Sequence, residues 1–228
     1  MSVWWARRLG CILLAVSAVG AAQSPSSSSK HTRGSSTRVV PDLGAGTVAN
    51  GVYRNRALGL TYRIPAGWVL RTEEMNARGE ADSEAGGAEA KSSPQGSQGN
   101  TGEGGRVLLA AFSRPPDARG EDVNSSIVIA AEPVTAYPGL KDAAQYFEPL
   151  TEVAKSQGFT ADEDPYEMKI GSKTLVRGDF HKDVGTRVMR QSTLAFLAQG
   201  YAVSITVIGG TEDEVEELIE GVSFGAGR

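Results

Sequence analysis

The chain has one cysteine and two histidines among its 228 residues. Cys11 lies near the amino terminus inside an apolar stretch. If that stretch is removed on export, the mature chain has no thiol, which excludes disulfides, cysteine nucleophiles and cysteine-ligated metals together. Stability must then come from packing. Long apolar runs are also scarce. The stretch from Leu9 to Gly20 falls short of the roughly 20 residues a helix needs to cross a bilayer core, and no second long run follows. A basic surplus is missing too. Losing Arg7 and Arg8 takes the 23 basic residues to 21 against 27 acidic ones, a formal charge of −6. That balance argues against a broad nucleic-acid surface, which needs clustered Lys and Arg to displace counterions.

Arg7 and Arg8 ahead of the short apolar run, with the small residues Gly20, Ala21 and Ala22 behind it, have the layout of a cleavable secretory signal. Cleavage is expected near Ala22, giving a periplasmic or extracellular product. Cys11 begins the apolar run rather than following it, so it does not fit a lipid-attachment site. Residues 23 to 50 are rich in Ser, Gly and Thr and read as an unfolded tether, basic in its first half through Lys30, Arg33 and Arg38. Residues 76 to 105 contain no Val, Ile, Leu, Met or aromatic side chain. They read as an unfolded insertion within a single domain spanning 51 to 228.

Between these tracts the apolar pattern is regular. Leu60, Tyr62 and Ile64 alternate with Thr61 and Arg63 and stop at Pro65, as a half-buried strand does. The runs 106 to 114 and 125 to 134 are nearly continuous, which suits strands covered on both faces. From Asp142 to Gly158 the period changes: Ala143, Tyr146, Phe147, Leu150, Val153 and Ala154 share one side of a helix. Pro149 is expected to kink or break it on the solvent side. Segments 166 to 182 and 186 to 210 read as successive antiparallel strands, with a turn at Gln199-Gly200. Thr211 and Glu214 form a capping-box pattern ahead of a last helix with Val215, Leu218, Ile219 and Val222 on one stripe.

Two local patterns, with the order of elements, carry a resemblance. The first is the strand end Tyr62, Pro65, Gly67 and Trp68; the second is the hairpin Gly200-Tyr201 followed by a strand and a terminal helix. Over roughly residues 51 to 224 the chain resembles the PsbP/Mog1-like superfamily, in particular its exported, DcrB-like bacterial members. The resemblance implies an α+β fold in which an antiparallel β-sheet lies between helices as an α/β/α sandwich. It also implies a non-catalytic accessory or protein-binding role in the bacterial envelope, with a protein partner, no cofactor and no catalytic residue to carry over. On that reading Tyr62, Pro65, Gly67, Trp68, Gly200 and Tyr201 are structural; a stacking platform made by Tyr62 and Trp68 is the alternative.

Three motifs invite chemistry. "GVSFG" at 221 to 225 matches Gly-x-Ser-x-Gly, but Ser223 follows a helix and both histidines precede it, the reverse of what a nucleophile elbow needs. Gly221 is better understood as a helix stop. "LGAGTVANG" and "GEGGR" lack the lysine and spacing of phosphate loops and read as flexible chain. In "GDFHKD", Asp179, His181 and Asp183 alternate and so share one side of a strand, where oxygen and nitrogen donors are candidates for a divalent ion. A small hydrolase or metal-dependent enzyme built on His181 and its neighbouring carboxylates is therefore the rival to the accessory role. The acidic last helix, from Glu212 to Glu220, is a solvated face favoured at its start by the helix dipole.

Overall fold

The structure is a computed structural model and describes residues 42–84, 105–115 and 123–225. The expected export signal and residues 23–41 of the expected tether lie outside the described residues. The chain begins with β1 (Thr47–Ala49), β2 (Val52–Asn55) and β3 (Leu60–Arg63), then β4 (Val69–Leu70), α1 (Thr72–Glu84), β5 (Arg106–Phe112) and β6 (Ser126–Pro133). A single 3-10 turn at Val134–Ala136 leads to α2 (Ala143–Ser156). There follow β7 (Thr160–Ala161), β8 (Tyr166–Ile170), β9 (Lys173–Val184), β10 (Arg187–Ala198) and β11 (Tyr201–Gly209). Helix α3 (Glu212–Glu220) and β12 (Val222–Phe224) complete the described chain.

The fold is α+β, and every described strand pairing is antiparallel. A large sheet has the order β4-β5-β6-β11-β10-β9-β7, with β8 also paired to β9; a small sheet has the order β1-β2-β3-β12. Because side chains alternate along each strand, the large sheet sorts its residues between two cores. One face packs Leu109, Ile129, Leu194, Phe196, Val203 and Ile205 against the small sheet and α3, which contribute Tyr53, Leu60, Tyr62, Leu218 and Ile219. The other face receives Tyr146 and Phe147 of α2 on Val176, Ala195 and Ala202, and Met75 of α1 on Val107, Ala110 and Val128. The sheet thus lies between helices, with the small sheet sharing one side with α3.

Local chemistry explains most element ends. Pro65 follows β3, Gly67 takes φ +83°, and the Trp68 N–H donates to the Pro65 carbonyl at 3.3 Å. Trp68 itself is half-buried against the main core. The β10–β11 hairpin turns on Gln199 and Gly200, both at positive φ (54° and 82°), the geometry a two-residue turn requires. Asp142 caps α2 by accepting from the Gln145 N–H at 2.9 Å, and Thr211 caps α3 by accepting from the Glu214 N–H at 3.1 Å. Instead of closing the capping box on Thr211, the Glu214 carboxylate reaches one residue further back, to the Gly210 N–H at 2.8 Å. β5 contains a bulge between Val107 and Leu109, so that Leu108 and Leu109 both enter the main core.

Several expectations need correction. The fold starts before residue 51: Leu43 is buried and the Asn55 side-chain amide donates to the Leu43 and Gly44 carbonyls, so residues 42–50 are folded chain rather than tether. "LGAGTVANG" accordingly includes strand β1. The expected insertion overlaps α1 as far as Glu84; residues 85–104 lie outside the described residues. Pro149 neither breaks α2 nor sits in solvent: the helix runs from Ala143 to Ser156 through it, and the residue is half-buried. The buried anchors Tyr146 and Phe147 hold the turns on the preceding side. Gly221 does follow the last residue of α3, but in a right-handed conformation (φ −64°). Its special need is space, because a Cβ there would lie 2.9 Å from the Tyr62 ring.

Candidate functional site

β9 presents Arg177, Asp179, His181 and Asp183 on the α3 side of the large sheet, as their alternation predicts. The structure gives the three candidate donors different surroundings. Asp179 is mostly buried and accepts from the Arg177 Nε at 2.9 and 3.0 Å, from the Tyr166 hydroxyl at 3.0 Å and from the Ser192 hydroxyl. Arg177 in turn donates from its terminal nitrogen to Glu216 of α3 at 2.5 Å. Its guanidinium is desolvated, yet the hydrogen bonds to Glu216 and Asp179 raise its pKa above the ordinary arginine value. Asp179 is therefore the floor of an ion-pair network that fastens α3 to the sheet.

His181 stands two residues along, with its Nδ1 against the carboxylate of Asp162 in the turn after β7. Asp183 is exposed and lies across from Val188 near the β9–β10 turn. Same-face residues two apart in a strand are separated by about 6.6 Å of rise. Among the described residues, no group of three or more His, Cys, Asp or Glu is placed to hold a metal ion. The candidate trio is thus not assembled into one coordination set. Asp162, which sequence reasoning missed, is the carboxylate that contacts His181; no spacing rule links residues 162 and 181, because β7 brings them together only through its pairing Thr160↔His181.

Ser223 is exposed on β12 in the small sheet, directly across from Thr61, while His181 is on the large sheet with Asp162. Nothing in the described structure aligns a base with this hydroxyl. Tyr62 is fully buried, which removes it from any exposed stacking platform, and its phenol oxygen has no hydrogen-bond partner. Burial alone holds its pKa well above the usual tyrosine value. Gly200 and Tyr201 serve the hairpin, with Tyr201 half-buried against the main core.

The fold assembles two further sites. On the α2 side, Glu132 of β6 is 6% exposed and accepts from the hydroxyls of both Tyr137 and Tyr146. On the outward face of the small sheet, one row across all four strands reads Thr47, Arg54, Thr61, Ser223, and the next reads Ala49, Val52, Arg63. Arg54, Arg63 and the turn residue Arg56 are all exposed, and among the described residues none of the three has an ionic partner. The alternating "VYRNR" and "LTYR" contained the arginine signal, since Arg54 and Arg63 each follow an inward tyrosine.

No protein-family model matches the chain, and no curated protein matches it in sequence. Solved structures that it resembles include a protein from Bacteroides thetaiotaomicron, at 13% identity and TM-score 0.37, over 78% of this chain and 50% of that one. LpqN of Mycobacterium tuberculosis, involved in cell envelope biogenesis, aligns at 13% identity and TM-score 0.34, over 72% of this chain and 82% of that one. The Saccharomyces cerevisiae Ran-binding protein Mog1p aligns at 14% identity and TM-score 0.35, over 74% of this chain and 80% of that one.

Proposed function

We propose that the chain is an exported, non-catalytic accessory module of the bacterial envelope, of the PsbP/Mog1-like and more narrowly DcrB-like kind, that acts by binding another envelope protein. Export rests on the charge and apolar pattern of residues 1 to 22. Among the described residues no helix is long and apolar enough to cross a membrane. The observation that carries the reading is the state of Asp179. Both its carboxylate oxygens are engaged by protein donors, so the most chemically suggestive cluster in the sequence is committed to holding α3.

The rival reading, a small hydrolase or metal-dependent enzyme, draws on the half-exposed His181–Asp162 contact, since a carboxylate on Nδ1 orients an imidazole for proton transfer. His181→Ala separates the two. The expected outcome is a folded variant that captures the same partner from the envelope fraction as the parent chain does. Loss of a measurable turnover with folding retained would favour the enzyme. Zinc or manganese added during thermal melting is expected to leave the midpoint unmoved; a rise that disappears in His181→Ala would restore a metal role.

A further inference from the structure

One end of the large sheet and one end of the small sheet differ in their cover. Beyond β4 the outer edge of β5 is closed by α1: the Asn76 side chain accepts from the Val107 N–H at 2.8 Å and donates to the Val107 carbonyl at 2.9 Å, and the Thr72 hydroxyl accepts from the Ala110 N–H at 2.9 Å. Side chains there occupy the places a further strand would take. Among the described residues the small sheet has no such cover at β1, which ends the strand order and has all three residues exposed. An unpaired edge is a template for another strand.

The side chains beside that edge specify what would fit. Facing the core, one row runs Val48, Tyr53, Tyr62, Val222. The last three are buried, while Val48 is 43% exposed, so the row stops one apolar side chain short of being covered. Facing solvent, the rows contain Thr47, Arg54 and Arg63, with no carboxylate at any outward position of the four strands. A strand added to β1 would lie two strand spacings, or about 10 Å, from Arg54, a gap that arginine and glutamate side chains span together. Its alternate residues would fall beside Val48 and beside Thr47.

We infer that β1 is a docking edge for an extended segment of a partner protein whose residues alternate between acidic and apolar, added as a fifth strand to the small sheet. Backbone hydrogen bonds supply the affinity in this mode and the alternating side chains supply the selection. The inference rests on the reading of this chain as a protein-binding module and names the surface and the partner's chemistry.

The test uses the full chain and a labelled synthetic peptide of about ten residues, a typical length for one long strand, in which Glu and Val alternate. Fluorescence anisotropy is expected to show binding that an alternating Lys-Val peptide lacks and that a peptide with Glu and Val in separate blocks lacks. The variant Arg54→Gln should weaken it by about threefold, the effect of one exposed charge pair. Val48→Asp should abolish it, and thermal melts of both variants should match the parent. Equal binding of the block peptide, or no loss in the arginine variant, would overturn the inference. So would binding to phosphatidylglycerol vesicles that the arginine variant loses while the peptide is ignored, or a peptide-free dimer that Val48→Asp splits. If the arginine variant captures the same envelope partner as the parent chain, the module reading stands and this edge is not its site.

Discussion

Glu132 interrupts the apolar run of β6, and two phenols gather on it. The Tyr137 and Tyr146 rings meet edge to face, with centroids 5.2 Å apart, and both hydroxyls donate to the same carboxylate oxygen. Burial first, and Glu132 second, hold both phenols well above the ordinary tyrosine pKa. Tyr166, on the Asp179 network, is raised to about 12, by burial and then by its bond to Asp179. A raised pKa favours the protonated form in the fold, so this stability is intact below the unfolded value near 10 and is lost as pH rises beyond it. Tyrosinate absorbance during alkaline titration should therefore show Tyr137 and Tyr146 ionising only together with unfolding, and Tyr166 ahead of them. Glu132→Ala leaves the buried Tyr146 hydroxyl and the half-buried Tyr137 hydroxyl without this acceptor. At about 1 to 3 kcal/mol for the buried Tyr146 hydroxyl, with a smaller share from Tyr137, the urea midpoint should fall by an amount equivalent to roughly 1 to 4 kcal/mol. A shift of less than about 1 kcal/mol would mean that other partners take over the hydroxyls. Glu132 was legible in the sequence only as an anomaly, a lone charge in "IVIAAEPV"; its partners come from the chain after β6 and from α2, and no periodicity announces them.

Among the elements, α2 and α3 were readable because each buries a stripe at helical spacing: Tyr146, Phe147 and Ala154 in one, Val215, Leu218 and Ile219 in the other. α1 was not. Its sequence, TEEMNARGEADSE, has Met75 as its one large apolar residue, and it is docked mainly through Thr72 and Asn76 bonding the backbone of β5. A helix held by polar side chains at a sheet edge gives no hydrophobic period to detect. The opposite error occurred at Pro149, where a local rule overestimated a break that the buried anchors of α2 prevent. The proline still leaves the Gln145 carbonyl without its helical donor. Pro149→Ala should restore that bond and raise stability by about 1 to 3 kcal/mol, within the known cost of an interior proline. Thermal melting followed by circular dichroism checks this, and a lowered midpoint would show that packing of the half-buried ring outweighs the missing bond.

At the scale of the whole molecule, the large sheet and its two cores were foreseeable from the order of strand and helix patterns, while the position of the candidate site was not. Asp179 looked like a ligand because its neighbours in sequence are His181 and Asp183; its neighbours in space are Arg177, Tyr166 and Ser192. The main core draws on described residues from Leu43 to Val222, and the sequence of 85 to 104 has no Val, Ile, Leu, Met or aromatic side chain to offer one. Replacing residues 85 to 104 with a short Gly-Ser linker should leave a single cooperative melting transition. Its stability should change by less than about 1 kcal/mol, since loop closure varies only with the logarithm of length. A broadened or two-step melt would show that the segment contributes to the fold.

The bulge in β5 has an evolutionary corollary. Val107 is matched to Ala130 and Leu109 to Ile129, so Leu108 is supernumerary to the ladder: dropping it would preserve the inside-outside assignment of every other side chain in that strand. Loss of the identical Leu109 gives the same chain, whereas removing Val107, Ala110 or Ala111 with the bulge kept would invert part of the strand and turn Arg106 or Phe112 the wrong way. Length variation among related chains should therefore be tolerated at this one point of an otherwise rigidly indexed sheet.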